Sequence, residues 1–256
     1  MLQAGRVKMA SEKIVLEGRH AVLEALRAGH SVHEVFLLKG TEKKTAEEFE
    51  RLCAGADIPI YYSDKAAMDR RSVSGRHQGV IATADAWEYA ELEDILANAA
   101  NRGEQPFLIL LDGIMDPHNL GAVIRTANMA GAHGVVITKD RAVGLTAAAA
   151  KASAGAVYYT PVARVTNMAR TVEQLKKAGI WTIAADMQGG SVFEADLSGP
   201  VALVIGNEGK GVARLVKEKC DFAVSIPTSG DIDSLNASVA CGILAFEVVR
   251  ARLKKH

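Results

Sequence analysis

The chain has 256 residues, 30 Lys and Arg against 30 Asp and Glu, and 49% hydrophobic side chains. It is long enough for one large domain or two smaller ones, each with a proper core. Global charge predicts no polyanion partner, so a nucleic-acid surface has to gather its positive charge locally. The local distribution is uneven. Residues 81–104 carry one Arg against six carboxylates, while 1–80 carry 13 Lys and Arg against 11 Asp and Glu and 105–256 carry 16 against 13. Cys53, Cys220 and Cys241 are far apart and fit no zinc spacing or disulfide framework. A reduced, cytoplasmic setting without a metal is therefore expected. No apolar run approaches a membrane span, so no membrane partner is expected.

In chain order, residues 1–10 read as a loose leader and 11–84 as a small α/β domain. A short strand or turn in 14–29 leads into a helix with Val22, Leu23 and Leu26 inward and Gly29 as its stop. Strand Val35–Leu38, helix Thr45–Ala54 with Phe49 and Leu52 inward, strand Ile58–Tyr61 and strand Gly79–Thr83 follow. Between the last two strands, Asp69 to Gly79 has three arginines, a histidine, an amide and two glycines, with no apolar periodicity. It reads either as a solvated loop or as a phosphate-contacting one, since Arg forks and N–H groups freed by glycine suit an RNA backbone. Residues 85–104 form a connection with a short acidic helix, Glu88–Ala100, whose Leu92, Ile95 and Leu96 share a face.

Residues 105–256 alternate again. Strands are expected at Phe107–Leu111, Val135–Thr138, Ile180–Ala184, Val201–Ile205 and Phe222–Ile226. Helices are expected at Leu120–Ala130, Leu145–Ala154, Met168–Ala178, Val212–Lys217 and Asn236–Arg252. Short, nearly continuous apolar strands between helices imply a mainly parallel sheet covered on both faces. The last helix carries Val239, Ile243, Phe246, Val249 and Leu253 at near-helical spacing, with Ser234 or Asn236 as its N-cap.

Three polar stretches stand at strand exits, where open α/β sheets bind ligands: Asp112–Ala127, Val204–Gly211 and Ile226–Ser238. The second, Gly206-Asn207-Glu208-Gly209-Lys210-Gly211, is not a P-loop, because Gly follows Lys210. Its glycines also miss the Rossmann spacing. The Glu208 carboxylate would repel a triphosphate, so the loop suits a polar ligand with little phosphate charge.

Together these stretches resemble the three motifs of the SpoU (TrmH-type) branch of the SPOUT RNA methyltransferases: Asp112–Ala127, Leu203–Val212 and Ser225–Glu247, in that order. Gly18–Val22, His77–Val80 and Val165–Thr171 resemble the subgroup that methylates guanosine in bacterial large-subunit ribosomal RNA. The resemblance implies a deep trefoil knot in the C-terminal sheet, an N-terminal RNA-binding domain and a homodimer whose sites the partner completes. It also implies S-adenosylmethionine as cofactor, with Gly206, Ile226 and Leu235 lining its site.

The implied reaction is methyl transfer to a ribose 2′-hydroxyl, with Asn119, Arg125, Glu208, Ser234 and Asn236 as active-site residues. Arg125 matches the family's catalytic arginine. Asn119 and Arg125 are six apart, so Asn119 is expected in the cap or loop before the helix, and Glu208 is expected to orient Arg125 or Asn119. Helix capping is the competing explanation for Asn119, Ser234 and Asn236. Arg19, Arg70, Arg71, Arg76 and Gln78 are the expected RNA contacts of the N-terminal domain. The same chemistry on transfer RNA and a catalytically silent knotted RNA binder are the alternatives.

Overall fold

In the computed structural model, residues 12–230 and 234–254 are described. The expected leader at 1–10 and part of the third motif stretch lie outside them. The chain divides into two compact units between Glu88 and Tyr89.

The first unit runs β1 (Lys13–Glu17), α1 (Arg19–Arg27), β2 (Val32–Leu38), α2 (Lys43–Gly55), β3 (Ile60–Ser63), α3 (Lys65–Arg71) and β4 (Val80–Asp85). Its sheet order is β1-β4-β2-β3. β4 is antiparallel to both β1 and β2, whereas β2 and β3 are parallel. Alternation along β2 sends neighbouring side chains to opposite faces. Phe36 joins Met68 of α3 and Ile81 of β4 in one cluster, while Val35, Leu37, Val22, Phe49 and Cys53 are buried core residues. In α2 the second inward position is Cys53, and Leu52 is only half-buried. Helix α3 was not expected. Its signal is the Asp64 N-cap, whose side chain accepts from Ala67 N.

The second unit opens with α4 (Leu92–Asn101), the helix of the expected connection. Leu92 and Ile95 of α4 sit in that unit's core. Then come β5 (Phe107–Asp112), α5 (Pro117–Met129), β6 (Gly134–Thr138), α6 (Ala147–Ala152), β7 (Val162–Val165) and α7 (Met168–Lys177). They are followed by β8 (Trp181–Ser191), β9 (Val201–Gly206), α8 (Arg214–Lys219), β10 (Phe222–Ser225) and α9 (Ala237–Leu253). The six strands form one sheet in the order β10-β8-β9-β5-β6-β7, parallel throughout. This is the α/β architecture with a parallel sheet that the apolar runs implied. The short β7, with Arg164 inside it, was missed.

Central β5 is buried on both faces, with Phe107 to Leu111 at 1% exposure or less. Leu108 and Leu110 face the core made with α4, α7 and α8. Helix α5 packs against both α6 and α9, and α9 also touches β9.

Close backbone approach explains one glycine in this layer. A Cβ at Gly121 of α5 would lie 2.4 Å from the Ala149 carbonyl oxygen of α6.

Helix α9 departs from its expected stripe. Its buried residues are Ala237, Cys241, Leu244, Ala245 and Val248. Val239, Phe246 and Leu253 are 50%, 48% and 72% exposed. Because α9 is apolar nearly all round, periodicity alone could not choose the face it buries.

Candidate active site

Strands β5 and β9 are neighbours in register to their last residues, with Asp112 opposite Gly206. The first two motif stretches therefore leave the sheet side by side. Asp112 accepts from Ala213 N at 2.8 Å, and Asn207 donates from Nδ2 to the Gly113 carbonyl at 3.0 Å. Asn207 and Gly211 exchange backbone hydrogen bonds of 3.2 and 2.7 Å, so the second loop folds back over its own strand. That explains Gly206. A Cβ there would lie 2.0 Å from the Gly211 carbonyl carbon and 2.1 Å from Val212 N.

Asp116 is the N-cap of α5, accepting from His118 N at 3.0 Å, with Pro117 at the first helical position. Asn119 therefore lies inside the first turn, not in the cap or loop before it. Asn119 and Arg125 both sit on one helix, where they point different ways. Six residues turn an α-helix by about 600°, leaving the two side chains about 120° apart and about 9 Å apart along the axis. Asn119 is 8% exposed, whereas Arg125 is exposed. Among the described residues, no hydrogen bond or ion pair holds the Arg125 guanidinium.

Asn119, Glu208 and Asn236 close a triangle across the three stretches. Asn119 donates from Nδ2 to Glu208 Oε1 at 2.9 Å, and Asn236 donates from Nδ2 to Asn119 Oδ1 at 3.0 Å. The same Asn236 amide also donates to Glu208 Oε1, and Ala237 N reaches that oxygen at 3.5 Å. Both amide orientations follow from the carboxylate, which can only accept.

Glu208 thus orients Asn119 rather than Arg125. Asn236 is also the N-cap of α9, accepting at Oδ1 from Ser238 N at 3.0 Å and Val239 N at 3.3 Å. Capping and the cross-loop contact use opposite ends of one side chain, so they do not compete. Ser234 and Leu235 lie exposed on the approach to α9, and Ile226 is half-buried just past β10.

Strand β8 contributes a feature the sequence reading missed. Its pairing with β10 jumps from Ala184 opposite Ala223 to Gly190 opposite Val224. Residues 185–189 therefore bulge out at the same end of the sheet. Ser225 Oγ donates to the Gly189 carbonyl at 2.9 Å, and Asp186 is paired with Lys217 at 2.5 Å. The Lys217 hydrogen bond holds the Asp186 carboxyl below its ordinary range, helped by Gln188 N. Among the described residues, no group of three or more His, Cys, Asp and Glu is placed to hold a metal ion, and no helix is long and apolar enough to cross a membrane.

In the first unit, Gly18 N donates to the Val80 carbonyl at 3.1 Å, which places the Gly18–Val22 and His77–Val80 stretches side by side. Arg19, Arg70, Arg71, Arg76 and Gln78 are all exposed. Arg71 lies 4.2 Å over the Phe36 ring, and Gln78 takes a left-handed φ of 51°.

The loop's amides are not available to phosphate in the way the glycines suggested. Val73 N and Ser74 N donate to Glu17. Gly75 N, Arg76 N and Gly79 N donate to Ser72 Oγ, Ser74 Oγ and His77 Nδ1. Burial would raise the Glu17 carboxyl, but hydrogen bonds from Ser74, Val73 and Ser72 together outweigh it and hold the group below its ordinary value.

Comparison with known proteins gives this geometry a family. Residues 106–246 match the SpoU rRNA Methylase family, and residues 15–90 match the domain described as RNA 2′-O ribose methyltransferase substrate binding. A putative TrmH family tRNA/rRNA methyltransferase of Bacillus subtilis is 47% identical over 245 residues, covering 95% of this chain and 98% of its own.

Among solved structures, the SpoU methyltransferase AviRb from Streptomyces viridochromogenes, in complex with AdoMet, superposes with a TM-score of 0.78 at 25% identity. The match covers 94% of this chain and 91% of AviRb. An AdoMet-bound rRNA methyltransferase from Sinorhizobium meliloti gives 0.75 at 25% identity, covering 93% and 87%. The site suits that cofactor: strand ends with polar backbone and the carboxylates of Asp112, Asp186 and Glu208 fit a neutral adenosine and a cationic sulfonium better than a polyphosphate. The chain belongs to the SpoU rRNA methylase family and is an S-adenosylmethionine-dependent RNA methyltransferase with that family's substrate-binding domain ahead of its catalytic unit.

Proposed function

We propose that the protein methylates a ribose 2′-hydroxyl in RNA, and that its substrate is a guanosine of large-subunit ribosomal RNA. The observation that carries this reading is the pairing of a SpoU methylase unit with a separate unit matching the substrate-binding domain of RNA 2′-O ribose methyltransferases. Ribosomal RNA is favoured over transfer RNA because the Sinorhizobium protein, matched across 93% of this chain, is by name an rRNA methyltransferase. The guanosine follows from the subgroup resemblance of Gly18–Val22, His77–Val80 and Val165–Thr171. RNA rather than DNA follows from the chemistry, since only RNA offers the 2′-hydroxyl.

The cofactor supplies a methyl group carried on a sulfonium. The chain's own residues have to bind, orient and manage charge. Backbone at Gly206 and Ile226, with Leu235, would hold the cofactor, and the bulge at 185–189 stands at the same end of the sheet. Asn119, Glu208 and Asn236 lock the three loops so that both partners meet in one geometry; positioning of this kind can lower a barrier by roughly 7–11 kcal/mol.

Arg125 is exposed, and its guanidinium is a planar cationic fork of five donors. Its role is to clamp the target phosphate and stabilise the developing alkoxide. The proton of the 2′-hydroxyl then leaves to a phosphate oxygen or water. Ser234 supports the third loop, and Arg19, Arg70, Arg71, Arg76 and Gln78 hold RNA structure around the target.

We further place the enzyme in the cytoplasm as a homodimer carrying the family's knot. The exposed face of α9, with Val239, Phe246 and Leu253, is apolar surface of the kind a second copy buries.

The test is transfer of labelled methyl to unmodified ribosomal and transfer RNA, followed by nuclease mapping. The expected product is a 2′-O-methylguanosine in large-subunit RNA. Label in transfer RNA alone would replace the substrate, and no label in either RNA despite cofactor binding would favour a silent RNA binder.

A further inference from the structure

Glu17 ends β1 and is only 7% exposed. Its oxygens take donors lying 55 to 57 residues later: Ser72 Oγ at 3.1 Å, Ser74 N at 3.1 Å, and Val73 N and Ser74 Oγ at shorter range. Both oxygens are engaged, because Ser74 N also reaches Oε2 at 3.1 Å. A carboxylate accepts about four hydrogen bonds and donates none, so this one is saturated.

The far end of the loop is anchored separately. His77 Nδ1 accepts from Gly79 N at 3.0 Å, which leaves the ring proton on Nε2, facing Asp69 Oδ1 at 3.0 Å. The segment between these anchors carries Arg76, and Arg70 sits in the last turn of the helix leading into it.

An acid beside a surface meant for RNA would repel phosphate if it were open. Glu17 is instead buried beneath the loop, its charge balanced by hydroxyl and amide donors. A loop ordered only on meeting RNA loses conformational entropy at that moment, and one fixed beforehand does not.

We propose that Glu17 is a positioning residue for substrate binding: it locks residues 72–74 so that Arg70 and Arg76 present a preset pair of cations to the RNA backbone. The proposal rests on the reading of this loop as an RNA contact. It predicts weaker binding with every phosphate-facing cation still in place, which separates Glu17 from the arginines themselves.

The experiment measures RNA affinity against salt, methyl-transfer kinetics and amide hydrogen exchange for Glu17→Gln, for the Ser72→Ala/Ser74→Ala double variant, and for Arg70→Glu/Arg76→Glu. Glutamine puts an NH2 against the Ser74 donors, so exchange at Val73 and Ser74 should accelerate. RNA Kd and KM should rise about tenfold while kcat, cofactor affinity and salt slope stay unchanged. The serine variant keeps Glu17 and should shift Kd the same way, so the test stands even where Glu17→Gln folds poorly.

Wild-type RNA affinity in either variant, with fast exchange at Val73 and Ser74, overturns the role of Glu17 while the arginine variant still shows the loop to be an RNA contact. Wild-type affinity and salt slope in Arg70→Glu/Arg76→Glu overturn the loop reading, and the Glu17 proposal with it.

Discussion

Glu208 in the second unit gathers Asn119, Asn236 and Ala237 through Oε1 and stands on an exposed loop. Glu17 in the first unit gathers Ser72, Val73 and Ser74 through both oxygens and is buried. Each carboxylate draws together segments remote in sequence, because an acceptor-only group can collect several donors at once. What differs is what each leaves over. Glu17 is saturated, so its work is confined to shaping a loop. The three donors to Glu208 all meet Oε1, so this residue can hold three loops and still turn Oε2 towards what binds among them.

The largest effect expected is at a residue neither carboxylate touches. Arg125→Ala should lower kcat by about 10²–10³-fold, the usual cost of removing one donor from a developing oxyanion. Cofactor affinity measured by calorimetry should stay near wild type. Turnover that survives the change would remove Arg125 from the chemistry.

Next comes Gly206→Ala, which forces the Glu208 loop itself to move, since a Cβ would lie 2.0 Å from the Gly211 carbonyl carbon. A displacement of about 1 Å at a positioning element can cost about 10²-fold in rate. Here cofactor affinity should fall as well, because the same backbone is the one proposed to hold the cofactor. Unchanged cofactor binding would show that the fold-back of residues 207–211 is dispensable.

The difference between the two carboxylates also explains what could be read from the sequence. Glu208 lies in a glycine-rich loop between a continuous apolar strand and a helix, a context that marks ligand sites before any contact is known. Glu17 lies at the end of a five-residue strand, and nothing local announces that Ser72 to Ser74 will fold over it. Long-range hydrogen bonds leave no periodicity.

The same logic covers the elements. Strands β5, β6, β9 and β10 are apolar runs bounded by turns and were placed within a residue or two. Strand β7 has four residues, with Arg164 among them, and α3 has seven, too few for either pattern to emerge. On α9, both faces are apolar, so its buried side was set by packing against α5 and β9 rather than by its own spacing.

A smaller effect is expected in the first unit. Arg70→Glu/Arg76→Glu should weaken RNA binding and flatten its salt dependence by about 0.7–0.9 in log–log slope for each phosphate that is no longer neutralised. Anisotropy titrations across salt would read it. The backbone amides of this loop are already used internally, so the proposed phosphate contact falls to the arginine side chains. A slope that stays constant would leave the loop without a role in phosphate binding.

The smallest effect should come from Glu208→Gln, and it tests the comparison most directly. Glutamine keeps one oxygen able to accept from Asn119 and Asn236, and its new NH2 takes the place of Oε2, which holds none of the three donors. What disappears is charge assistance, the step from about 1.5–3 to about 0.5–1.5 kcal/mol per hydrogen bond. A net cost of about 1 kcal/mol would lower Tm by about 2–4 °C for a unit of this size, and activity should survive. Glu208→Ala, by contrast, strands the amide of Asn119, which is only 8% exposed, and should release the third loop. If Glu208→Gln is as inactive as Glu208→Ala while its melting point and cofactor affinity hold, geometry alone does not account for Glu208. Its negative charge would then act on the cationic sulfonium or on Arg125 during transfer, and Glu208 would belong with the reacting groups rather than with the scaffold that Glu17 exemplifies.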